Sequence, residues 1–289
     1  MGSQNVVSAN PNCLDDGPIG LIAGQGELPL LLAKKLKQEG RELFIILVKG
    51  EADPSDYKEF STETVAITKI GKFLKLLKQN NCRTVTLCGP VNRPNFKNIL
   101  PDAQGMKLLT RIGGALSKGD DGLLRAITEF IEENGFKVVG PHELENSFLT
   151  SSGTLGTYNP TEQDLDDIAK GREVLEVIGR LDIGQAVVVR NGYVLAVEAA
   201  EGTKSMLERC STLKWEEPAG VLVKLPKPEQ ELRADMPAIG VATVSQARKA
   251  GLKGIAIEAE NTLLIDKDNI IKAADDAGLF LFALSRKQD

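Results

Sequence analysis

The stretch GLIAGQGELP, residues 20–29, decides the fold of the first half of the chain. The apolar run at residues 18–23 predicts a buried strand, and an amphipathic helix is predicted at 27–39, ending at Gly40. A strand that passes through a glycine turn into a helix presents backbone N–H groups where a phosphate can bind. Gly24 and Gly26 are therefore candidate substrate-binding residues.

Three interpretations of this glycine turn stay open. A dinucleotide fingerprint requires G-x-G-x-x-G, and Gly24 and Gly26 fit it, whereas Pro29 occupies the third glycine position. The turn can also be a simple chain reversal. A third interpretation is close backbone approach to some other phosphate or ribose.

The rest of the first half continues the alternation of strand and helix. Strands are predicted near 43–48, 64–67, 84–88 and 137–139, and helices near 69–79, 104–112 and 121–134. This rhythm is typical of a parallel sheet covered by helices on both faces. We predict a loose tail at 1–16 and a Rossmann-like α/β domain at 17–145.

The second half has a different pattern. Residues 146–160 are rich in Ser, Thr and Gly and predict an inter-domain joint, after which Thr161 caps a helix at 162–180. In AVVVRNGYVLAVEA, residues 186–199, Asn191-Gly192 predicts a hairpin. Further strands are predicted near 220–224, 254–258, 262–266 and 279–284, with helices near 203–210, 243–250 and 269–277. We predict a mixed α/β catalytic domain at 161–289, with the active site between the two domains.

Composition excludes several classes of protein. The 289 residues carry a net charge of −5, which argues against nucleic acid as a partner. The longest apolar run, residues 43–48, is far shorter than the roughly 20 residues of a membrane-spanning helix. The four cysteines have no metal-ligand spacing, and residues 1–16 lack the apolar core of a secretory signal. These features predict a cytoplasmic protein.

His142 is the single histidine of the chain. This count excludes a His-rich zinc site and makes any Ser-His-Asp or Cys-His triad depend on one residue. His142 follows the last predicted strand of the first domain, where a structural role is favoured. Carboxylates, lysines, backbone amides and a hard cation are left to carry any chemistry.

The segment GGALSKGDDGLLRAI, residues 113–127, places a lysine and two aspartates at a predicted helix start. Aspartates in a first turn satisfy free N–H groups, which is the structural interpretation. The functional interpretation assigns Lys118 to a phosphate and Asp120 and Asp121 to a hard cation.

Two further polar segments are candidates. TSSGTLGTYNPT, residues 150–161, is either a linker or a polar lining over a phosphate or sugar, with Thr150, Ser151 and Thr154 as candidates. In VEAAEGTKSML, residues 197–207, a carboxylate ends the hairpin and a glycine turn opens a helix. Its candidates are Glu198, Glu201, Gly202 and Thr203, of which Thr203 is also explained as a helix cap.

The segment KLPKPEQELRADMPAIG, residues 224–240, is a loop stiffened by three prolines. A solvated loop gains nothing from stiffness, whereas a loop that holds side chains in place does. Lys224, Lys227 and Arg233 can neutralise a diphosphate, and Asp235 can hold a metal or orient water.

The predicted helix TKIGKFLKLLKQ, residues 68–79, has a lysine at every third position, opposite an apolar face. A solvated face of a helix that packs on the sheet is the favoured interpretation. Contact with an anionic membrane surface is the alternative.

Taken together, these segments resemble the LpxI-type UDP-2,3-diacylglucosamine pyrophosphatase family. The matching stretches are those at 20–29, 113–127, 150–161, 194–207 and 220–240, with LDIGQAVVV at 181–189 and VATV at 241–244. The resemblance extends from about residue 17 to the end of the chain. It is specific through the combination of motifs, since the glycine turn alone is common.

The resemblance implies a Mg²⁺-dependent hydrolase of lipid A synthesis, with Mn²⁺ as a substitute. It implies attack of water on the sugar-side phosphorus of UDP-2,3-diacylglucosamine, which yields UMP and 2,3-diacylglucosamine 1-phosphate (lipid X). It also implies two domains around a lipid-holding chamber, a homodimer, and peripheral contact with the cytoplasmic face of the inner membrane.

The resemblance also assigns roles to residues. The family's essential acid corresponds to Asp235, with Glu198 as a second metal ligand and Lys118, Lys224 and Lys227 as catalytic cations. The substrate-binding set is Gly24, Gly26, Asp120, Asp121, Thr150, Ser151, Thr154, Gln185, Glu201, Gly202, Thr203, Arg233 and Thr243. The chain departs from the family pattern at Glu231, where an aspartate is expected.

Two other classes of function remain as alternatives. A nicotinamide-dependent oxidoreductase needs a bound dinucleotide and a proton donor, and Pro29 and the scarcity of histidine argue against it. A UDP-sugar or lipid carrier would bind the same ligand without turnover. Several carboxylates beside lysines favour an enzyme over a carrier.

Overall fold

The computed structural model describes residues 17–92, 101–112, 119–213 and 217–285. These residues form two compact units. The first holds the described residues up to Met106 together with Phe130–Val139, and the second holds those of 107–129 and those from Gly140 onward.

The sheet of the first unit has five strands in the order β3-β2-β1-β4-β5, and every neighbouring pair is parallel. The strands are β1 (Ile19–Ala23), β2 (Leu43–Val48), β3 (Thr62–Val65), β4 (Thr84–Cys88) and β5 (Lys137–Val138). The prediction of a parallel sheet is therefore confirmed. β3 lies two residues earlier than predicted, because pairing with β2 sets its position in a polar segment.

Helices alternate with these strands, as α1 (Leu28–Gln38), α2 (Ile70–Gln79), α3 (Ala103–Ile112) and α4 (Gly119–Glu133). In α2 the apolar residues Phe73, Leu74 and Leu77 are buried, whereas the lysines at 72, 75 and 78 are exposed. The amphipathic pattern of α2 therefore separates a buried face, which packs in the first unit, from a face exposed to solvent.

The second unit contains a six-stranded mixed sheet in the order β6-β13-β11-β9-β7-β8. Its strands are β6 (Gly153–Leu155), β7 (Ala186–Arg190), β8 (Tyr193–Val197), β9 (Val221–Lys224), β11 (Gly254–Glu258) and β13 (Phe280–Leu284). β9, β11 and β13 run parallel, and the other pairs are antiparallel. Two short parallel strands, β10 (Ala238–Ile239) and β12 (Leu263–Leu264), form a separate sheet.

The second unit holds residues 107–112 of α3 and 119–129 of α4, together with α5 (Pro141–Leu144), α6 (Glu162–Gly179), α7 (Gly202–Ser211), α8 (Val241–Lys249) and α9 (Lys267–Asp276). Both faces of the mixed sheet are covered. Val221 and Val223 pack with Ile168 and Leu175 of α6. On the opposite face, Leu222 joins a core that includes residues of α7, α8 and α9. Because side chains alternate along a strand, Lys224 shares the face of Leu222.

Two short strands were not predicted. β6 lies in the Ser, Thr and Gly-rich segment 146–160, and β10 lies directly after the proline-rich loop. Neither carries a period-2 apolar pattern of useful length, because each is only two or three residues long. Their partners β13 and β12 decide that they are strands. Within the described ranges no helix is both long enough and apolar enough to cross a membrane.

Candidate active site

The hairpin of β7 and β8 delivers a carboxylate to the edge of the sheet. Asn191 and Gly192 both have positive φ angles, 49° and 78°, which are those of a tight hairpin turn. Asp167 of α6 is buried and accepts the backbone N–H groups of Asn191 and Gly192 at 2.9 and 2.7 Å. The hairpin prediction is confirmed, and the fixed register brings Glu198, one residue past β8, beside Gln185.

Glu198 is buried, and both of its carboxylate oxygens accept hydrogen bonds. The backbone N–H of Gln185 donates to Oε2 at 2.9 Å, and the hydroxyl of Thr203 donates to Oε1 at 2.6 Å. Gly184 makes this approach possible, because a Cβ at that position would lie 2.0 Å from the Glu198 carbonyl oxygen. Glu198 is thus the centre of a hydrogen-bonded cluster at the start of α7.

Lys224 is the last residue of β9 and only 5% of its surface is exposed. Its Nζ donates to the Thr203 hydroxyl at 2.7 Å. Burial lowers the pKa of Lys224, and the negative charges of Glu198 and Asp235 act in the opposite direction. Lys224 is thus a buried amine that interacts electrostatically with two carboxylates.

The loop after β9 carries Asp235, the carboxylate predicted to be catalytic. Leu225 donates its N–H to the Gln185 carbonyl at 3.0 Å, which starts the loop beside the hairpin. Gln230 Nε2 donates to Asp235 Oδ2 at 2.8 Å. No helix or strand occurs between Lys224 and Ala238, in agreement with the three prolines of the segment. Lys224, Glu198, Thr203, Gln185 and Asp235 are therefore brought together by the structure.

The other basic residues of the loop already have carboxylate partners. Lys227 Nζ forms an ion pair with Asp182, and both side chains are mostly buried. Arg233 forms a two-pronged ion pair with Glu231, with N–O distances of 2.8 and 2.9 Å. This pairing lowers the pKa of Glu231. Glu231 is thus engaged with its own loop, whereas Asp235 faces the Lys224 cluster.

Asp121 anchors the loop from α4. Its Oδ1 accepts the backbone N–H of Glu231 at 2.7 Å, and its Oδ2 lies 3.2 Å from Arg125. Asp121 therefore holds the backbone four residues before Asp235. Lys118 lies outside the described residues. Asp120 belongs to α4, but its side chain is also outside that description.

Several predicted residues of the second unit have local structural contacts instead. Glu201 pairs with Arg209, and the Thr243 hydroxyl accepts the Gly240 N–H at 3.4 Å, capping α8. Thr154 donates to Asn159 at 2.8 Å. Thr150 is buried and accepts the Glu260 N–H at 3.1 Å through its carbonyl. The remaining two are Ser151, which is exposed, and Gly202, which opens α7 with a φ angle of 77°. No hydrogen bond described for these residues connects them to Lys224 or Asp235.

Gly24 and Gly26 lie in the first unit, directly after β1. The N–H of Gly24 donates to the Cys88 carbonyl and that of Gln25 to the Pro90 carbonyl, both at 2.8 Å. A Cβ on Gly24 would meet two carbonyl oxygens at 2.5 Å. These two amides are engaged with the neighbouring loop, so the glycine at 24 is explained by close backbone packing.

His142 lies in α5, in the second unit, and its imidazole lies close to Gly140. A Cβ on Gly140 would lie 2.4 Å from the imidazole Cε1 and 3.2 Å from the Cα of Arg233. Burial lowers the pKa of His142. Its Nδ1 is buried without a hydrogen-bond partner among the described residues. The position supports the structural role expected from the sequence.

The donor set constrains which metal site the cluster can offer. In the described part of the chain, no three His, Cys, Asp or Glu side chains are grouped to hold a metal ion. The two carboxylates beside Lys224 are hard oxygen donors, and Glu198 already accepts hydrogen bonds through both oxygens. Mg²⁺ commonly uses one or two carboxylates and completes its shell with water and phosphate. The cluster fits this kind of magnesium site, in which Asp235 would be a carboxylate ligand, and it does not fit a site made of protein ligands alone.

Two residues of the cluster were not predicted from the sequence. Asp182, the partner of Lys227, lies 45 residues before it in the sequence. Gln230, the partner of Asp235, carries no ionisable group. Gln230 lies five residues before Asp235 in a stiff loop, and this proximity was the available signal.

Comparison with known proteins agrees with the resemblance read from the motifs. Residues 18–148 match the family described as the LpxI N-terminal domain, and residues 151–282 match the LpxI C-terminal domain. A protein of Caulobacter vibrioides named UDP-2,3-diacylglucosamine pyrophosphatase LpxI is 42% identical over 276 residues. The match covers 93% of this chain and 98% of that protein.

Similarity to solved structures is low. The Bordetella bronchiseptica enzyme WbmG, in complex with NAD and UDP, is 15% identical, with a TM-score of 0.25 over 39% of this chain and 34% of that chain. CobK precorrin-6A reductase is 10% identical, with a TM-score of 0.33 over 94% of this chain and 89% of that chain. At these scores the ligands and activities of those proteins carry no argument for this chain.

Proposed function

The chain belongs to the LpxI family, and from this premise we propose that it is a UDP-2,3-diacylglucosamine pyrophosphatase of lipid A biosynthesis. Water is added across the diphosphate, which releases UMP and 2,3-diacylglucosamine 1-phosphate. The observation that carries the proposal is the 42% identity to the Caulobacter vibrioides enzyme, which extends over nearly the whole of both chains.

The cluster in the second unit supports this chemistry. Phosphoryl transfer is catalysed mainly by positioning and by electrostatic stabilisation, which require cations and a group that orients water. Lys224 supplies a buried amine to the cluster, and Lys227 and Arg233, which are paired with Asp182 and Glu231, belong to the same loop as Asp235. A carrier of a diphosphate would have no use for two carboxylates beside a buried lysine.

We assign Asp235 to orient the attacking water and accept its proton. Water then attacks the sugar-side phosphorus, and the bond to the bridging oxygen breaks as UMP leaves. Glu198 and Thr203 hold the Lys224 ammonium in place through the 2.6 and 2.7 Å contacts.

Asp235 is also the residue proposed to hold Mg²⁺, or Mn²⁺ in its place, together with the substrate phosphates. When bound, such an ion neutralises phosphate charge and lowers the pKa of a coordinated water. Glu198 is the proposed second ligand, since each of its oxygens accepts one hydrogen bond and keeps a lone pair for an ion.

The proposal extends to assembly and location. We propose a homodimer that works in the cytoplasm. We also propose peripheral contact with the inner membrane, because the substrate carries two acyl chains. The exposed lysines of α2 are the proposed membrane contact, although Lys72 also lies 3.7 Å from Glu63 and Lys78 lies over the Phe136 ring. Replacement of the four lysines at 69, 72, 75 and 78 should reduce binding to anionic liposomes.

The deciding experiment measures UMP release from UDP-2,3-diacylglucosamine with Mg²⁺ and with EDTA. We expect metal-dependent release by the wild type and a kcat lower by about 10³-fold in Asp235→Asn, with substrate binding retained. Asp268→Asn, an exposed aspartate on α9, removes the same charge and should keep full activity. Wild-type protein that binds the lipid and releases no UMP would establish the carrier alternative.

A further inference from the structure

We propose that Gln230 is the positioning residue of the site, which orients the Asp235 carboxylate and connects it to the Glu198 and Lys224 cluster. The catalytic meaning of this inference rests on the proposed function. The hydrogen bond that carries it can be tested without any substrate.

The side-chain amide of Gln230 is used at both ends. Its Oε1 accepts the backbone N–H of Lys227 at 2.8 Å. Its Nε2 donates to Asp235 Oδ2 at 2.8 Å and lies 3.4 Å from Gln185 Oε1. The backbone N–H of Lys227 can only donate and a carboxylate can only accept, so the partners themselves determine which end of the amide faces Asp235.

Gln230 is also the connection between the loop and the hairpin. The side-chain oxygen of Gln185 accepts a hydrogen bond from Gln230 Nε2. The backbone N–H of Gln185 donates to Glu198 Oε2 at 2.9 Å. Glu198 continues through Thr203 to Lys224. The path from Asp235 to the buried lysine therefore runs through neutral amides and one hydroxyl, with Glu198 as its only other carboxylate.

A neutral donor suits this position because the surroundings are crowded with charge. Lys224 approaches from β9, Glu198 from the end of β8, and Lys227 and Arg233 belong to the same loop and pair with Asp182 and Glu231. A charged residue at 230 would disturb this balance. An amide fixes one carboxylate oxygen of Asp235 without changing the net charge.

Two substitutions separate orientation of Asp235 from support of the loop. Gln230→Glu has nearly the same shape and keeps an oxygen for the Lys227 N–H, but it loses the donor to Asp235. Gln230→Met keeps the length of the side chain and loses both contacts. Support of the loop through the Lys227 N–H is kept in Gln230→Glu and lost in Gln230→Met, and the charge added by Gln230→Glu is cancelled when it is combined with Asp235→Asn.

We expect both variants to lose about 10²-fold in kcat, with KM changed less than about threefold, because a misplaced catalytic group affects the chemical step. Gln38→Glu makes the same charge change on the exposed face of α1 and serves as the matched control. A Gln230→Glu enzyme with wild-type kcat would overturn the inference.

The second readout is thermal stability of a swapped pair. In Gln230→Glu/Asp235→Asn the amide introduced at position 235 donates to the carboxylate introduced at position 230. The negative charge moves from position 235 to position 230, so the net charge near Lys224 is unchanged. We expect Gln230→Glu alone to lower Tm by about 3 °C and the swapped pair to recover that loss while remaining inactive.

The two readouts separate the possible failures. If the wild type releases no UMP, the proposed function fails, and recovery of Tm in the swapped pair still demonstrates the hydrogen bond. If the wild type is active and the swapped pair is no more stable than Gln230→Glu, the 2.8 Å contact does not hold Asp235 and the inference is overturned.

Discussion

The two units end their parallel strands in different ways. In the first, the amides after β1 donate to carbonyls of the neighbouring loop, and the Glu51 carboxylate after β2 accepts the side-chain amides of Gln25 and Asn92 at 2.6 and 3.2 Å. In the second, β9 ends in the buried amine of Lys224, beside Glu198 and Asp235. In the first unit the carboxylate is partly exposed and has neutral amide partners, whereas β9 ends in a buried amine beside two carboxylates.

This difference shows that a glycine turn is weak grounds for a ligand site. Close packing of two loops requires Gly24 as strictly as a phosphate would, since a Cβ would lie 2.5 Å from two carbonyl oxygens. Burial of a lysine between carboxylates has no comparable structural explanation, because desolvation of charge is costly. Perturbed ionisable groups are therefore the better guide to function.

The largest expected effect is that of Lys224→Met. Removal of the amine leaves the Glu198 and Asp235 carboxylates without their shared cation, so we expect a loss of about 3–5 kcal/mol in the free energy of unfolding. Activity should fall by about 10³-fold. Urea unfolding and UMP release measure the two losses, with Lys249→Met on the exposed face of α8 as control. If Lys249→Met lowered stability and activity as much as Lys224→Met, the buried amine at the end of β9 would have no special role.

Matched glycine substitutions, one in each unit, should have the next largest effect. Gly184→Ala introduces a Cβ 2.0 Å from the Glu198 carbonyl at a φ angle of 54°, whereas Gly24→Ala introduces one 2.5 Å from two loop carbonyls. Each should lower the free energy of unfolding by about 1–3 kcal/mol. Gly184→Ala should also lower kcat, because the displaced backbone belongs to Glu198.

Substrate affinity decides what Gly24 does. If Gly24→Ala stays stable and raises KM more than tenfold, its backbone contacts substrate, and the packing explanation for the first unit is wrong. KM and the urea midpoint of the same preparation provide the comparison.

The smallest expected effect concerns pH, and it should arise in the second unit, since the first has no histidine. Burial lowers the pKa of His142 in the folded protein, so the unfolded chain binds more protons below the ordinary pKa of about 6.5. Stability should therefore fall as pH drops from 6.5 toward the folded pKa. His142→Asn should remove this part of the pH dependence, as measured by urea unfolding at pH 7.5 and 5.5. An unchanged slope would mean that other groups cause the acid sensitivity.

Much of the fold could be predicted because its signals are local. Apolar runs such as Leu43–Val48 and the Asn191-Gly192 turn specify buried strands and a hairpin from a few neighbouring residues. β6 and β10 could not be predicted, because two or three residues carry no period and only pairing with a distant strand makes them regular. The candidate site was predicted in part, through the charged residues of the proline-stiffened loop and of the turn after β8.

The sequence by itself determined the α/β class, the family and the identity of the acidic and basic groups, because periodicity, turn chemistry and motifs are properties of neighbouring residues. Only the tertiary structure decided which of those groups lie close together. It buried Lys224 near two carboxylates and hydrogen-bonded Gln230 to Asp235. It also paired Arg233 with Glu231 and Lys227 with Asp182. The physical reason is that desolvation and hydrogen-bond geometry depend on distances in space between residues such as Gln185 and Gln230, which lie far apart along the chain.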